Sequence, residues 1–315
     1  MKKSKIQKQT GMVNFIKTGI TLMFVAVTLL QAAPKTTSTL SAYTGAIDYT
    51  DSNKDTGWFA GLYFQNASLE NKLELNYERT EIDYLSAVKI ANPTLEDVEQ
   101  NDFTLAWTHY FASNYLFRVG GHYIDTNDEL TDEGYVAFAG MKYYQGYKFD
   151  MGLDFYYSDY SNFVFTDGSK GLTLYQVEPS IGYAFGDYKS KLGSFYVKAY
   201  YTFIDPDEIE NGLLEDTYHS GGVIVKNFNG NWTNEIGGWV GKQAFAVRHE
   251  GFTVYNLSEE RQGGLHLSST YAFSKSASAK LQYAYESFEE VNLIDTTRIN
   301  DASTNTISLF LNYNF

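Results

Sequence analysis

The sequence predicts an all-β chain that spans a membrane as an antiparallel up-and-down barrel of about fourteen strands. Three observations carry this reading. Segments of roughly 10 to 14 residues alternate apolar with polar side chains, the length a tilted barrel strand needs to cross a bilayer. Tight turns alternate with long loops along the chain. The 27 Tyr and 22 Phe come with only four Pro and no cysteine, a strand-rich composition without a disulfide framework. After residue 35 no apolar run is long enough for a membrane helix, which leaves barrel strands untouched because their hydropathy averages out.

In chain order the expected strands are 36–49, 56–66, 71–84, 99–111, 115–126, 133–145, 147–159, 172–185, 194–204, 216–228, 231–246, 260–273, 277–289 and 303–315. The clearest is "YKFDMGLDFYYSD", where Tyr147, Phe149, Met151, Leu153, Phe155 and Tyr157 share one face and Lys148, Asp150, Asp154 and Ser158 the other. Leu153 should meet lipid and Asp154 water. "AKLQYAYE" repeats the pattern, with Leu281, Tyr283 and Tyr285 opposed to Lys280, Gln282 and Glu286. Pro179 sits in mid-strand, where its missing donor predicts a bulge, whereas Pro93 and Pro206 fall in expected loops. Every second connection is tight, as in "ASLEN", "ASN", "QG", "NG" and "SKSA"; "GDYKSKLG" is somewhat longer. The intervening loops are mostly long and acidic. Fourteen strands leave both termini on the short-turn side; twelve and sixteen fit within the same boundary tolerance of a few residues.

The first residues form a basic, acid-free lead, the apolar run "ITLMFVAVTLL" and small residues "QAA". This predicts a secretory signal over 1–32, cut after Ala32 because a cut after Ala33 would place Pro34 next to the scissile bond. Met12 is an alternative start. Removal takes five lysines and no acid, moving the charge from −14 to −19. Residues 33–315 then form a single barrel domain, with no linker or composition shift to divide it.

The last strand alternates Ile307, Leu309, Leu311, Tyr313 and Phe315 against Thr306, Ser308, Asn312 and Asn314, and stops on the aromatic. It resembles the C-terminal signature of Gram-negative outer-membrane β-barrel proteins, the porin-like channel superfamily, without pointing to a subfamily. The resemblance implies a bacterial outer-membrane location, partnership with lipid and lipopolysaccharide, and reading of these five residues by the barrel-assembly machinery. Fatty-acid transporters of similar strand number carry a long N-terminal hatch; here the first strand follows the cleavage point too closely for one.

The inward faces should carry Glu74, Glu78, Arg118, His122, Lys148, Asp150, Asp154, Glu178, Lys198, Lys280 and Glu286. Ionisable groups of both signs on most strands suit water rather than lipid. The reading is a passive diffusion channel for small hydrophilic solutes or ions, weakly cation-selective through its acidic outer loops, needing no cofactor or metal. The alternative is a structural or surface-interaction barrel whose lumen is closed by inward-folded loops and whose outer loops bind ligands. A barrel hydrolase is a third reading: His266 and Ser268 share a strand face, but no third residue orients the histidine, and the pair faces the lumen. The other histidines lack metal-ligand spacing, and the acidic balance disfavours nucleic acid. Oligomeric state is not legible.

Overall fold

In a computed structural model, the described residues are 36–111, 114–164, 170–207, 215–257, 259–294 and 297–315. The expected signal segment, 1–32, lies outside them. The chain forms β1 (Thr37–Thr50), β2 (Lys54–Ala67), β3 (Asn71–Tyr84), a one-and-a-half-turn helix α1 (Ser86–Ala91), β4 (Val98–Phe111), β5 (Tyr115–Thr126), β6 (Tyr135–Gln145), β7 (Phe149–Val164) and β8 (Lys170–Gly186). It continues through β9 (Ser194–Pro206), β10 (Tyr218–Asn229), β11 (Trp232–Gln243), a miniature hairpin of β12 (Val247–Arg248) and β13 (Thr253–Val254), then β14 (Glu260–Ala272), β15 (Ala277–Val291) and β16 (Arg298–Asn314). Fourteen of these strands pair antiparallel, neighbour to neighbour, into a closed barrel; β12 and β13 stand apart as their own two-stranded sheet.

Closure is made by β1 and β16, in register from Thr39 opposite Asn314 to Thr50 opposite Ser303. Ser38 and Phe315 add a reciprocal pair of backbone hydrogen bonds at 3.0 and 2.9 Å. No barrel strand therefore keeps a free edge, which a bilayer would penalise at every unpaired backbone group. The alternation decides the faces: Leu105, Trp107, Phe155, Ile181, Leu265 and Leu281 are exposed outward. Aromatic pairs mark both rims of this apolar belt. Tyr115–Tyr143 and Trp232–Tyr271 lie near the short turns, and Tyr135–Tyr157 and Tyr157–Tyr175 near the long loops, as a barrel's interfacial girdles require.

Pro179 makes no bulge. Its ladder to β7 runs unbroken through Leu153, and β9 keeps register from Val177–Phe203 to Ser180–Tyr200. The missing donor points at β9 and costs one hydrogen bond there, not an extra residue. Register shifts occur instead near the long-loop rim, between β2 and β3, β7 and β8, β11 and β14, β14 and β15, and β15 and β16. Pro206, expected in a loop, is the last residue of β9.

Candidate functional site

The eleventh expected strand ends three residues early, at Gln243. The chain then turns into the barrel, so the described part of the connection from β11 to β14, residues 244–257 and 259, is an inner loop. Its first half is apolar, and Ala244, Phe245, Ala246 and Val247 are buried against Ile124, Val136, Tyr160, Phe163, Leu172, Leu174, Ile204 and Tyr218 from β5 to β10. Phe245 lies 5.3 Å from the Tyr160 ring and 5.7 Å from that of Phe163. Gln176 of β8 fixes the backbone of Val247 twice, donating to its carbonyl at 2.7 Å and accepting from its N–H at 2.8 Å. The long-loop half of the lumen is therefore an apolar core rather than the wet lining expected from sequence. A signal was present: Leu172 and Leu174 share the face of Gln176 and Glu178, and Ile204 that of Lys198.

The loop's tip reaches the charged wall. Glu250 pairs with Lys142 of β6, its carbonyl accepts from Arg118 of β5, and its carboxylate lies 3.5 Å from that guanidinium. Burial alone would raise its carboxyl, but Lys142 and Arg118 overcome this and hold it at about 2. Its side chain remains 39% exposed, so water reaches the tip. The second half crosses to the opposite wall: Phe252 meets Tyr63 of β2, Tyr255 donates to Glu286 of β15 at 2.8 Å, and Asn256 donates to Gln100 of β4 at 2.8 Å. Glu259 bridges Lys54 at 2.7 Å and Arg261 at 2.9 Å, and Lys54 also binds Glu290 at 2.6 Å. Burial opposes the Glu259 charge, yet Lys54 and Arg261 keep its carboxyl below the usual range.

Backbone geometry also sets this loop apart. Phe245, His249 and Glu250 are three of the five non-glycine residues with positive φ among the described residues. Gly251 follows at φ +95, where an added Cβ would run into the Phe138 ring. Such conformations cost about 1–3 kcal/mol each and persist only where surrounding contacts fix them.

The expected lumen residues fall as follows. Glu74 is buried, bonded to Tyr63 at 2.7 Å and Lys72 at 3.0 Å, beside Arg118. Glu78 faces Asp102 across β3 and β4. Asp150 accepts from Tyr196 at 3.2 Å and Glu178 from Thr202 at 3.1 Å. Lys198 lies over the Tyr200 ring, Lys280 over Phe310, and Glu286 pairs with Arg261. Two placements differ from expectation. Lys148 is not on a strand face but exposed in the turn between β6 and β7, because β7 begins at Phe149. Asp154 points inward but is buried between Gly140 and Glu178, packed rather than bathed.

His122 belongs to a buried relay that sequence reading missed. Its Nε2 is 3.0 Å from Asp102 Oδ1 and its Nδ1 2.8 Å from the Thr104 hydroxyl. All three side chains are buried, so this nucleophile-like order has no open approach. His266 bonds to Glu235 at 2.8 Å, so an acid from β11 does orient this histidine, against the expectation that no third residue would; the partner lies 31 residues away in the chain and was not visible from the strand alone. Among the described residues no cluster of three or more His, Cys, Asp or Glu could hold a metal.

No protein-family model matches the sequence, and no curated protein sequence matches it. Solved structures do resemble it. The toluene transporter TodX of Pseudomonas putida superposes with a TM-score of 0.51, at 9% identity, over 91% of each chain. A bacterial polysaccharide outer-membrane secretin gives 0.52 at 10% identity, over 88% of this chain and 98% of its own. The CymD monoaromatic hydrocarbon channel gives 0.50 at 10% identity, over 91% and 90%. At such identities the likeness is one of fold alone, the closed antiparallel β-barrel that these outer-membrane proteins also have. Within that class, this chain is a closed fourteen-strand barrel with a loop folded across its lumen.

Proposed function

We propose that the protein is an outer-membrane channel for small hydrophilic solutes or ions, with the inner loop as its constriction. The observation that carries this reading is Glu250, anchored to Arg118 and Lys142 inside the barrel yet still reached by water. A loop held by ion pairs at a hydrated level narrows an aqueous path and can be displaced from it, because the barrel wall closes without it. The chain's export, its residence among outer-membrane lipid and lipopolysaccharide, and reading of Ile307 to Phe315 by the assembly machinery belong to the same proposal. An acidic outer mouth favours cation entry at low salt, while lysines on the lumen wall oppose it, so the net preference is weakly cationic.

One observation favours the alternative of a closed structural barrel: the inner loop touches opposite walls, through Phe252 to β2 and Gln176 to Val247. Planar-bilayer recording separates the two. Wild-type protein should give small ohmic steps, and a variant with residues 246–256 replaced by a Gly-Ser linker should give steps several-fold larger. Silence from both, in folded heat-modifiable protein, would remove the channel reading.

A further inference from the structure

Below the inner loop, the wall from β9 to β15 carries cations with too few acids to balance them. Lys198, Lys226, His266 and Lys280 face inward, and the loop adds Arg248 and His249. Glu235 is already engaged by Lys226 at 2.8 Å and His266 at 2.8 Å. Among the described residues Lys198, Arg248 and Lys280 have no carboxylate within ion-pair distance. Their neighbours are aromatic faces instead: Arg248 lies 4.7 Å from the Trp239 ring and 5.5 Å from Tyr200, Lys198 lies 5.8 Å from Tyr200, and Lys280 lies 4.4 Å from Phe310.

Arg248 is the informative member. It is only 8% exposed, and its Nη2 is buried without a hydrogen-bond partner. A buried guanidinium ordinarily takes a carboxylate, because ring faces recover only part of the lost hydration. Arg261, on the strand that follows the loop, shows the ordinary solution, with Glu259 and Glu286 both at its guanidinium. Arg248 has no such partner, although its loop carries Glu250 two residues on, committed to Lys142 and Arg118.

We propose that this wall is a binding site for a small solute bearing a carboxylate or phosphate group. The water-reachable ammonium of Lys198, which shares the Tyr200 ring with the Arg248 guanidinium, receives the anion, and Arg248 backs it from the loop with its planar, multi-donor head. Tyr200 and Trp239 hold Arg248 in place while the site is empty. The proposal rests on the channel reading and adds to it a subsite for anionic solutes on the same wall that offsets the cation preference of the mouth, and it makes the inner loop part of the site: Arg248 leaves with the loop.

The test is calorimetric titration of the full folded protein in detergent with inorganic phosphate and with succinate, against sodium chloride at matched ionic strength. Trp239 provides a second readout, since Trp58, Trp107 and Trp232 are exposed on the outer face and it alone of the four is buried. Saturable binding of either anion is expected, lost in Arg248→Gln and weakened by about tenfold or more in Lys198→Gln. If Arg248→Gln fails to fold, Lys198→Gln decides, because this lysine is partly exposed. No saturable binding of either anion, or equal binding by Lys198→Gln, overturns the site. Conduction without binding would overturn this inference alone, and binding by a protein silent in bilayers would overturn only the channel reading.

Discussion

Replacing Phe245 with Ala should release the inner loop while leaving the barrel closed. Phe245 is 2% exposed and its ring contacts Tyr160 and Phe163. Truncating a buried Phe costs about 3–5 kcal/mol in lost transfer free energy and cavity formation. The residue keeps its φ of 51 in either form, so the backbone strain that docking must overcome remains. At tenfold per 1.4 kcal/mol, the docked-to-released ratio should fall by roughly 10² to 10³ or more. The barrel's strand pairing does not pass through this side chain, so heat modifiability should be retained. Two assays read the loop directly. Single-channel steps should enlarge toward those of the loop-replaced variant, and trypsin, which cannot reach buried Arg248 in the docked state, should cut there. Wild-type current together with wild-type resistance at Arg248 would refute the claim that this apolar contact holds the loop in the lumen.

Other consequences follow from named contacts. Glu250 has its carboxyl held at about 2, below its ordinary 4.5, so its contribution to docking is full above about pH 4.5 and is lost as pH falls toward 2. Conductance should therefore be flat from pH 8 to 5 at constant salt, while Glu250→Gln should raise it across that whole range; a step near neutral pH in wild type would contradict this assignment. Deleting Phe315 removes the reciprocal backbone pair with Ser38 at the closing seam and should lower the yield of heat-modifiable, membrane-embedded protein while export continues; normal yield would exclude the assembly role. Leu153→Arg places a cation on the lipid face and should cost about 2–4 kcal/mol near mid-membrane, measured by urea titration in bilayers, whereas Leu153→Met should be nearly silent. Reversal potentials under a KCl gradient should show a weak cation preference that fades as the Debye length shrinks from about 10 Å at 0.1 M to about 3 Å at 1 M. Chloride preference at low salt would mean the lysine-bearing wall outweighs the acidic mouth.

The sequence by itself determined the wall of this protein. Strand alternation is a local property with period two, and each side chain on a closed sheet faces either lipid or interior, so Leu153, Leu281 and Ile307 could be placed without knowing their neighbours. Strand count and pairing order followed because up-and-down connections join neighbours, and β3 and β5 begin and end where the alternation does. What the lumen contains was decided elsewhere. The segment 244–246 continues the apolar look of β11, and nothing within it says that it leaves the sheet and turns inward. That choice rests on contacts with residues distant in the chain: Gln176 with Val247, 71 residues apart, and Arg118 with Glu250, 132 apart. The same distance in sequence hid the pairing of Lys54 with Glu290, 236 residues on. A charge read from sequence carries its sign but not its partner, and inside a barrel it is the partner that separates a neutralised strut such as Arg261 from an unpaired cation such as Arg248.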